Sequence, residues 1–252
     1  MGKLDKIVKK YYKEYQLHMH IDYMEDYILD IKPVAEMKNA LAETIKTNGK
    51  RYLFLNEQFA EDLLLDRGIE KWEIGVLFHE FTHIADDRIL EMGGISETKK
   101  YIVRPYKEYH AEFIKTLYMF GIHQFPNNRI KIPHTEKIVS PYGYVSIYDY
   151  MINIKDGYVA DIDVNKMDDM LAYMSYFDRL SYYLGTASVY RICCDYKLDE
   201  IMDISVFSDK LGKDAERLKE ILLKSIDTRY DVKVANNCAR VYIPLIQPFL
   251  NK

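Results

Sequence analysis

The sequence predicts an α+β fold, in which a small sheet and a long amphipathic helix precede a mainly helical C-terminal part. Short β-type runs alternate with stretches of helical spacing over residues 1–125, whereas helical spacing dominates residues 166–252. Prolines and glycines among short apolar runs predict that residues 126–165 form a loop-rich connector containing a hairpin. We therefore expect three regions: a core, a connector and a helical part.

The length and composition indicate a globular protein. With 252 residues, the chain can form a core without disulfide support, and three cysteines are too few for a disulfide framework. The 35 Lys and Arg residues nearly balance the 39 Asp and Glu residues, so the net charge of −4 argues against a nucleic-acid partner. The first residues lack the apolar core of a signal peptide, and no run of about 18 apolar residues occurs. We expect a cytoplasmic protein with no membrane partner.

Four short elements are predicted before residue 70. Helical spacing of apolar residues indicates helices over residues 3–15 and 35–46. A compact β-type run with polar flanks indicates a strand over residues 52–55. A short helix over residues 58–65 follows it.

The strongest pattern lies in residues 73–90, where apolar residues recur at the spacing of an amphipathic helix. The pair Gly93-Gly94 is typical of the end of such a helix. Residues 101–103 are predicted as an edge strand, and residues 106–119 as a further helix. In the C-terminal part, Ser208 is predicted to cap a helix over residues 209–224.

The long helix contains the pattern H-E-x-x-H, formed by His79, Glu80 and His83. Two histidines four residues apart project from one helix face, so both imidazoles can bind one metal ion. Imidazole nitrogen is a preferred ligand of Zn²⁺, which tolerates an open position for water. The carboxylate of Glu80 can reach that position and accept a proton from the water, so the pattern predicts a zinc site with Glu80 as general base.

A third protein ligand is required to complete such a site. The downstream candidates share a carboxylate or imidazole and are Asp86, Asp87, Glu91, Glu108, His110 and Glu112. A second helix is the better source, because a ligand at Asp86 would require the first helix to bend sharply. Glu108 and Glu112 are four apart on one helix face, so one can bind metal while the other accepts the free ring N–H of a ligand histidine.

The spacing His79-Glu80-x-x-His83 followed by Glu108-x-x-Ala111-Glu112 resembles the gluzincin clan of zinc metallopeptidases. More narrowly, a strand, a short helix, the H-E-x-x-H helix and a following helix resemble the ImmA/IrrE-type metallopeptidases. The resemblance implies a zincin-like core with Glu108 as third zinc ligand and Glu112 beside a ligand histidine. Members of that group are small cytoplasmic proteins of bacteria, prophages and mobile elements, and several cleave transcriptional repressors, so the resemblance also implies a regulatory protein as substrate.

The predicted activity is zinc-dependent hydrolysis of peptide bonds in a peptide or protein substrate. A donor for the developing oxyanion is required, and His123, His134, Tyr106 and the other tyrosines all remain candidates. The strand over residues 52–55 is the candidate for pairing with a substrate peptide. Two alternatives stay open: a non-catalytic mobile-element regulator or assembly protein that retains the fold, and hydrolysis of a bond other than a peptide.

Overall fold

The computed structural model describes residues 2–19, 30–35, 37, 40–47, 50–95, 97–122, 131–224, 227 and 229–250. It confirms the α+β class, with a small mixed sheet in the first part of the chain and a helical C-terminal part. All three cysteines are free and buried. None of the helices in the described ranges is both long and apolar enough to cross a membrane.

The sheet consists of β1 (Asp30–Val34), β2 (Ala42–Thr47) and β3 (Lys50–Asn56) in the order β1-β3-β2. β3 pairs in parallel with β1 and antiparallel with β2. The predicted strand over residues 52–55 therefore exists, but the prediction that it is the edge strand of the cleft is wrong. Because β3 is hydrogen-bonded on both sides, its backbone is not available to a substrate.

The helix predicted over residues 35–46 is also wrong, since residues 42–47 form β2. The pairing of β2 with β3 places Thr44 opposite Leu53 and satisfies the backbone of β2 in an extended conformation. This tertiary pairing outweighs the weak helical spacing of the apolar residues. Among the described residues, β2 pairs only with β3 and is the edge strand of this sheet.

Three helices accompany the sheet: α1 (Lys3–Met19), α2 (Glu57–Leu65) and α3 (Lys71–Met92). α2 and α3 contact its strands, and α1 packs on these two helices. Aromatic rings of α1 pack edge-on against α3, with centroids 4.9 Å apart for Tyr12 and Phe81 and 5.4 Å apart for Tyr15 and Phe78. α3 begins where Glu73 Oε2 accepts a hydrogen bond from the Glu70 backbone N–H. It ends at the predicted glycine pair, where Gly94 adopts a φ of +70°.

The next two helices are α4 (Glu97–Ile102) and α5 (Arg104–Met119). The edge strand predicted over residues 101–103 is wrong, because Tyr101 and Ile102 end α4. The helix predicted over residues 106–119 is confirmed as α5. Pro105 lies in its first turn, where the missing N–H costs no helical hydrogen bond.

The connector contains the predicted hairpin, formed by β4 (Lys137–Ser140) and β5 (Gly143–Ser146). It also contains a helix that the loop-rich prediction missed, α6 (Ile147–Ala160). Ser146 caps α6, because its Oγ accepts a hydrogen bond from the Asp149 backbone N–H at 3.0 Å.

The C-terminal part begins with a short 3₁₀ helix (Val164–Lys166) and continues as a run of helices: α7 (Met170–Cys193), α8 (Leu198–Met202), α9 (Ser205–Leu211), α10 (Lys213–Leu222) and α11 (Val232–Leu250). The single helix predicted over residues 209–224 is wrong. Gly212, with a φ of +79°, separates α9 from α10. Ser208 lies inside α9 and its Oγ donates to Glu216 Oε1, so it is not an N-cap.

The long helix α7 packs closely on α5 and thereby supports the side chains that α5 contributes. At Gly185, an added Cβ would lie 2.6 Å from the Tyr109 carbonyl oxygen. Buried hydrogen bonds join the same two helices, from Tyr109 OH to Ser188 Oγ at 2.9 Å and between the hydroxyls of Thr116 and Thr186 at 3.1 Å. The position of α5 relative to α3 is therefore fixed in part by the C-terminal helices.

Candidate metal centre

Two imidazoles of α3 face each other at the floor of a cleft. The Nε2 atoms of His79 and His83 lie 3.0 Å apart, and both side chains are largely buried. This proximity follows from their spacing of four residues on one helix. Two nitrogen atoms at this distance need a proton or a cation between them, because their lone pairs otherwise repel.

α5 brings a carboxylate to the same point. Glu108 Oε2 lies 3.0 Å from His83 Nε2 and 3.5 Å from His79 Nε2. Ligands about 2.0–2.1 Å from a tetrahedral zinc ion are themselves roughly 3.3 Å apart. The three atoms therefore form a triangle of the size that a zinc ion requires.

The chemistry of this triangle also fits a metal ion. Glu108 Oε2 is buried and forms no hydrogen bond with the described part of the chain. Two imidazole nitrogens and one carboxylate oxygen are the ligand set that zinc uses when a further position is left for water or substrate. These residues would hold the metal from one side and leave the cleft side open.

Glu112 lies behind this triangle and contacts the other nitrogen of a ligand histidine. Its Oε2 is 3.3 Å from His79 Nδ1, while Lys115 Nζ donates to its Oε1 at 3.0 Å. Burial alone would raise the pKa of Glu112, but the charges of Lys115 and His79 outweigh it and lower the pKa to about 2. An ionised Glu112 at this distance favours the tautomer in which His79 Nδ1 carries the proton, and this tautomer leaves the Nε2 lone pair for a metal.

Glu80 is held at the side of the site by the edge strand of the sheet. Its carboxylate is buried, and Oε2 accepts a hydrogen bond of 2.7 Å from the Thr44 backbone N–H of β2. His79, Glu80 and His83 each present a ligand atom within 4.8 Å of the others. Glu80 is therefore close enough to act on a water or substrate at the centre.

The site attracts positive charge. Burial disfavours the charged form of His79, yet the carboxylates of Glu108, Glu112 and Glu80 outweigh burial and raise the pKa of His79 to about 9. Three carboxylates around two imidazoles thus favour a cation at this point. A divalent metal ion would supply that charge more fully than a proton.

The centre opens into a cleft of about 880 Å³, which is lined by β2, α3, α4, α5 and α7. Along its floor, α3 presents a stripe of residues four apart: His79, His83 and Asp87, with Glu91 one turn further on. Asp87 and Glu91 each bind cations in and beside the cleft. Arg51 contacts Asp87 Oδ2 at 3.0 Å and Glu91 Oε1 at 2.6 Å, and Lys107 contacts Asp87 Oδ1 at 2.6 Å.

The other residues considered as third ligands are engaged elsewhere. Both carboxylate oxygens of Asp86 lie within 3.0 Å of His110 Nδ1, and this pair is buried away from the cleft. Asp87 and Glu91 are occupied by the cations just described. Of the six candidates, Glu108 is the one whose carboxylate meets both histidine Nε2 atoms.

Of the oxyanion donors named from sequence, His134 and Tyr106 are engaged away from the centre. The His134 ring stacks on Tyr196 at 3.7 Å, and Tyr106 OH accepts a hydrogen bond from the Asp231 backbone N–H. His123 lies outside the described residues.

Two cleft residues were not singled out from sequence: Tyr182, whose ring centroid is 5.7 Å from that of His79, and Arg104. Arg104 precedes Glu108 by one helical turn, a spacing that could have indicated it. Tyr182 comes from the distant helix α7, and no local pattern links it to the centre.

No family model matches the sequence, and comparison with curated proteins and with solved structures yields no match either. Function is therefore inferred from the geometry and chemistry of the site itself.

Proposed function

We propose that this chain is a zinc-dependent metallopeptidase whose metal is held by His79, His83 and Glu108. The observation that carries the proposal is the triangle of their ligand atoms, with sides of 3.0, 3.0 and 3.5 Å, at the floor of an open cleft. The zincin-type core and a regulatory protein as substrate, both suggested by the resemblance to ImmA/IrrE-type metallopeptidases, belong to the same proposal.

The residues around the triangle have distinct tasks in this reaction. When bound, zinc acts as a Lewis acid that polarises a carbonyl and makes water easier to deprotonate. Glu80, fixed by the Thr44 N–H, accepts the proton of the attacking water and returns it to the leaving amine. Glu112 orients the His79 ring through Nδ1.

The edge strand β2 offers a binding surface for an extended peptide. Residues 42–46 line the cleft, and β2 pairs with β3 on one side only among the described residues. A substrate peptide that adds to this edge gains main-chain hydrogen bonds independent of its side chains, from the backbone groups of β2 other than the Thr44 N–H, which Glu80 occupies. β2 therefore takes the role that the sequence had suggested for residues 52–55.

The proposal is tested with the variant Glu80→Gln, which keeps the size of the side chain but removes the proton acceptor. Zinc content should stay at the wild-type level, while hydrolysis of a mixed peptide library should fall by about 10²–10⁴-fold. The products are identified by mass spectrometry. Glu57→Gln is the matched control, because Glu57 is an exposed glutamate at the start of α2 outside the cleft, and its cleavage rate should equal that of wild type.

The outcomes separate the competing functions. Equal cleavage by Glu80→Gln and wild type would contradict the assigned general base. Absence of cleavage by every variant, on the library and on candidate folded regulators, would favour the non-catalytic regulator or assembly protein. Hydrolysis of esters but not of peptides would favour the other alternative, a hydrolase that acts on a bond other than a peptide.

A further inference from the structure

Arg104 is a cation of the cleft that the proposed reaction has not used. It lies at the start of α5, one turn before Glu108, and 43% of its side chain is exposed. Its Nε is 2.8 Å from Asp178 Oδ2 and 3.5 Å from Glu108 Oε1. The guanidinium therefore contacts the protein carboxylates through its Nε atom.

Asp178 of α7 fixes this orientation. The residue is 3% exposed, and a carboxylate so deeply buried needs a cation beside it. Arg104 supplies that cation through Nε. None of the described residues accepts a hydrogen bond from its two terminal Nη atoms, and Arg104 lines the cleft, so these atoms remain as donors there.

The neighbouring cations differ from Arg104, because their terminal nitrogens contact protein carboxylates. Arg51, Lys46 and Lys107 all contact Asp87 or Glu91 through their terminal nitrogens at 2.6–3.0 Å. Lys100 likewise contacts Glu91 at 2.6 Å. Within the described part of the cleft, Arg104 is thus the cation whose terminal nitrogens form no hydrogen bond with a protein carboxylate.

The planar N–H donors of Arg104 beside the proposed metal position suit a ligand that carries a carboxylate. The guanidinium fork binds a carboxylate through two parallel hydrogen bonds, a geometry that lysine cannot provide. Glu108 contacts Arg104 with one oxygen and the histidine pair with the other, so Nε lies within roughly 8 Å of the metal position. Since consecutive Cα atoms are about 3.8 Å apart, this distance reaches a residue adjoining the cleaved bond.

We propose that the substrate carries a carboxylate on the residue beside the cleaved bond, and that Arg104 binds this carboxylate through its terminal nitrogens. The inference rests on the proposed peptidase function and specifies its substrate class. The carboxylate can belong to an acidic side chain or to the C-terminus of the peptide, because both present the same two oxygens. Asp178 acts as the positioning residue that holds Arg104 by Nε.

The test measures binding and cleavage separately with short alanine-based peptides. One arm compares peptides that differ only by glutamate against glutamine at successive positions, all amidated at the C-terminus. The other arm compares a free C-terminal carboxylate with its amide. Binding is measured by calorimetry on zinc-loaded Glu80→Gln protein, and cleavage on the zinc-loaded wild type.

One carboxylated peptide series should bind at least about tenfold more tightly than its neutral partner, and the arm that shows this identifies the source of the carboxylate. Arg104→Gln should abolish the difference. Because that variant leaves Asp178 without its cation, the double variant Arg104→Gln/Asp178→Asn removes the pair together and should show the same loss. Lys107→Gln, which removes a different charge from the same cleft, should retain the preference.

The proposal is overturned if the Glu80→Gln protein binds acidic and neutral peptides equally in both arms. It is also overturned if the preference survives in the double variant or falls equally in Lys107→Gln. A preference that persists in binding while the wild type cleaves no peptide would contradict the peptidase function and leave the carboxylate site standing.

Discussion

At the scale of single residues, the proposed metal centre depends on side chains that do not themselves contact the metal position. Glu112 illustrates this, because it lies 3.3 Å from His79 Nδ1 and is kept ionised by Lys115. A neutral or displaced Glu112 would allow His79 to take the tautomer in which Nε2 carries the proton. That tautomer cannot bind a cation through Nε2.

Glu112→Gln should therefore weaken zinc binding about 10–100-fold, the usual cost of losing a group that orients a ligand histidine. The measurement is competition with a chelator of known affinity at neutral pH. Glu57→Gln, on the exposed start of α2, is the control and should bind zinc like wild type. Unchanged affinity in Glu112→Gln would show that His79 is oriented by another group.

The residues of the centre differ in how far sequence could identify them. His79, Glu80 and His83 follow from a helical pattern of five residues, and Glu108 and Glu112 from a second helix with the same face spacing. Sequence reasoning alone left Glu108 and Glu112 as equal candidates for third ligand. The structure distinguishes their positions, since Glu108 meets both Nε2 atoms and Glu112 meets Nδ1.

At the scale of secondary-structure elements, the contact between α5 and α7 controls where Glu108 and Glu112 lie. Gly185 permits this contact, because a Cβ there would be 2.6 Å from the Tyr109 carbonyl oxygen and 3.0 Å from Glu112 Cβ. Both of these atoms belong to α5. A shift of α5 to make room for the new Cβ would also shift the carboxylates of Glu108 and Glu112. Packing strain and metal affinity should therefore change together.

Gly185→Ala should lower the free energy of unfolding by about 1–3 kcal/mol and weaken zinc binding. Gly157→Ala is the matched control: it also lies in a helix, and its added Cβ would meet only the terminal hydroxyl of Tyr142 at 3.3 Å. That control should be neutral or gain up to about 1 kcal/mol from helix propensity. The free energies of unfolding are measured by urea denaturation. A Gly185→Ala protein as stable as wild type would contradict the close contact between α5 and α7.

A cluster of charges ties three elements together beside the centre. Asp87 of α3 binds Arg51 of β3 and Lys107 of α5. Burial alone would raise the pKa of Asp87, but Lys107, Lys100 and Arg51 outweigh it and lower the pKa below its usual value. A carboxylate with a lowered folded-state pKa stabilises the protein above its unfolded pKa, and this stabilisation is lost as the pH falls through the folded-state pKa.

Asp87→Asn should therefore be less stable than wild type by about 3 kcal/mol near neutral pH. The difference should begin to shrink once the pH falls below about 4, the pKa of an aspartate in the unfolded chain, and should vanish below the lower folded-state pKa. Asp209→Asn, at an exposed position on α9, should match wild type throughout. Urea unfolding at a series of pH values tests this, and a difference independent of pH would contradict the ionised pairing.

At the scale of the whole molecule, local sequence patterns predicted the long elements and failed where distant segments decide the structure. The helices α3 and α5 have strong periodicity and clear end signals, and they lie where expected. β2 was mistaken for a helix because its partner β3 is not visible in local spacing, and β3 was assigned to the edge for the same reason. Tyr182 could not be singled out among the tyrosines, because α7 is placed beside the centre by its packing on α5.

The central claim is that one zinc ion binds between α3 and α5 through His79, His83 and Glu108. The most direct measurement is the zinc content of the purified chain after exhaustive dialysis, determined by elemental analysis on wild type, His83→Ala, Glu108→Gln and Glu80→Gln. We expect about one zinc per chain in wild type and Glu80→Gln, and a large loss in the other two. Equal zinc in wild type, His83→Ala and Glu108→Gln, or none in wild type supplied with zinc, would contradict the metal centre.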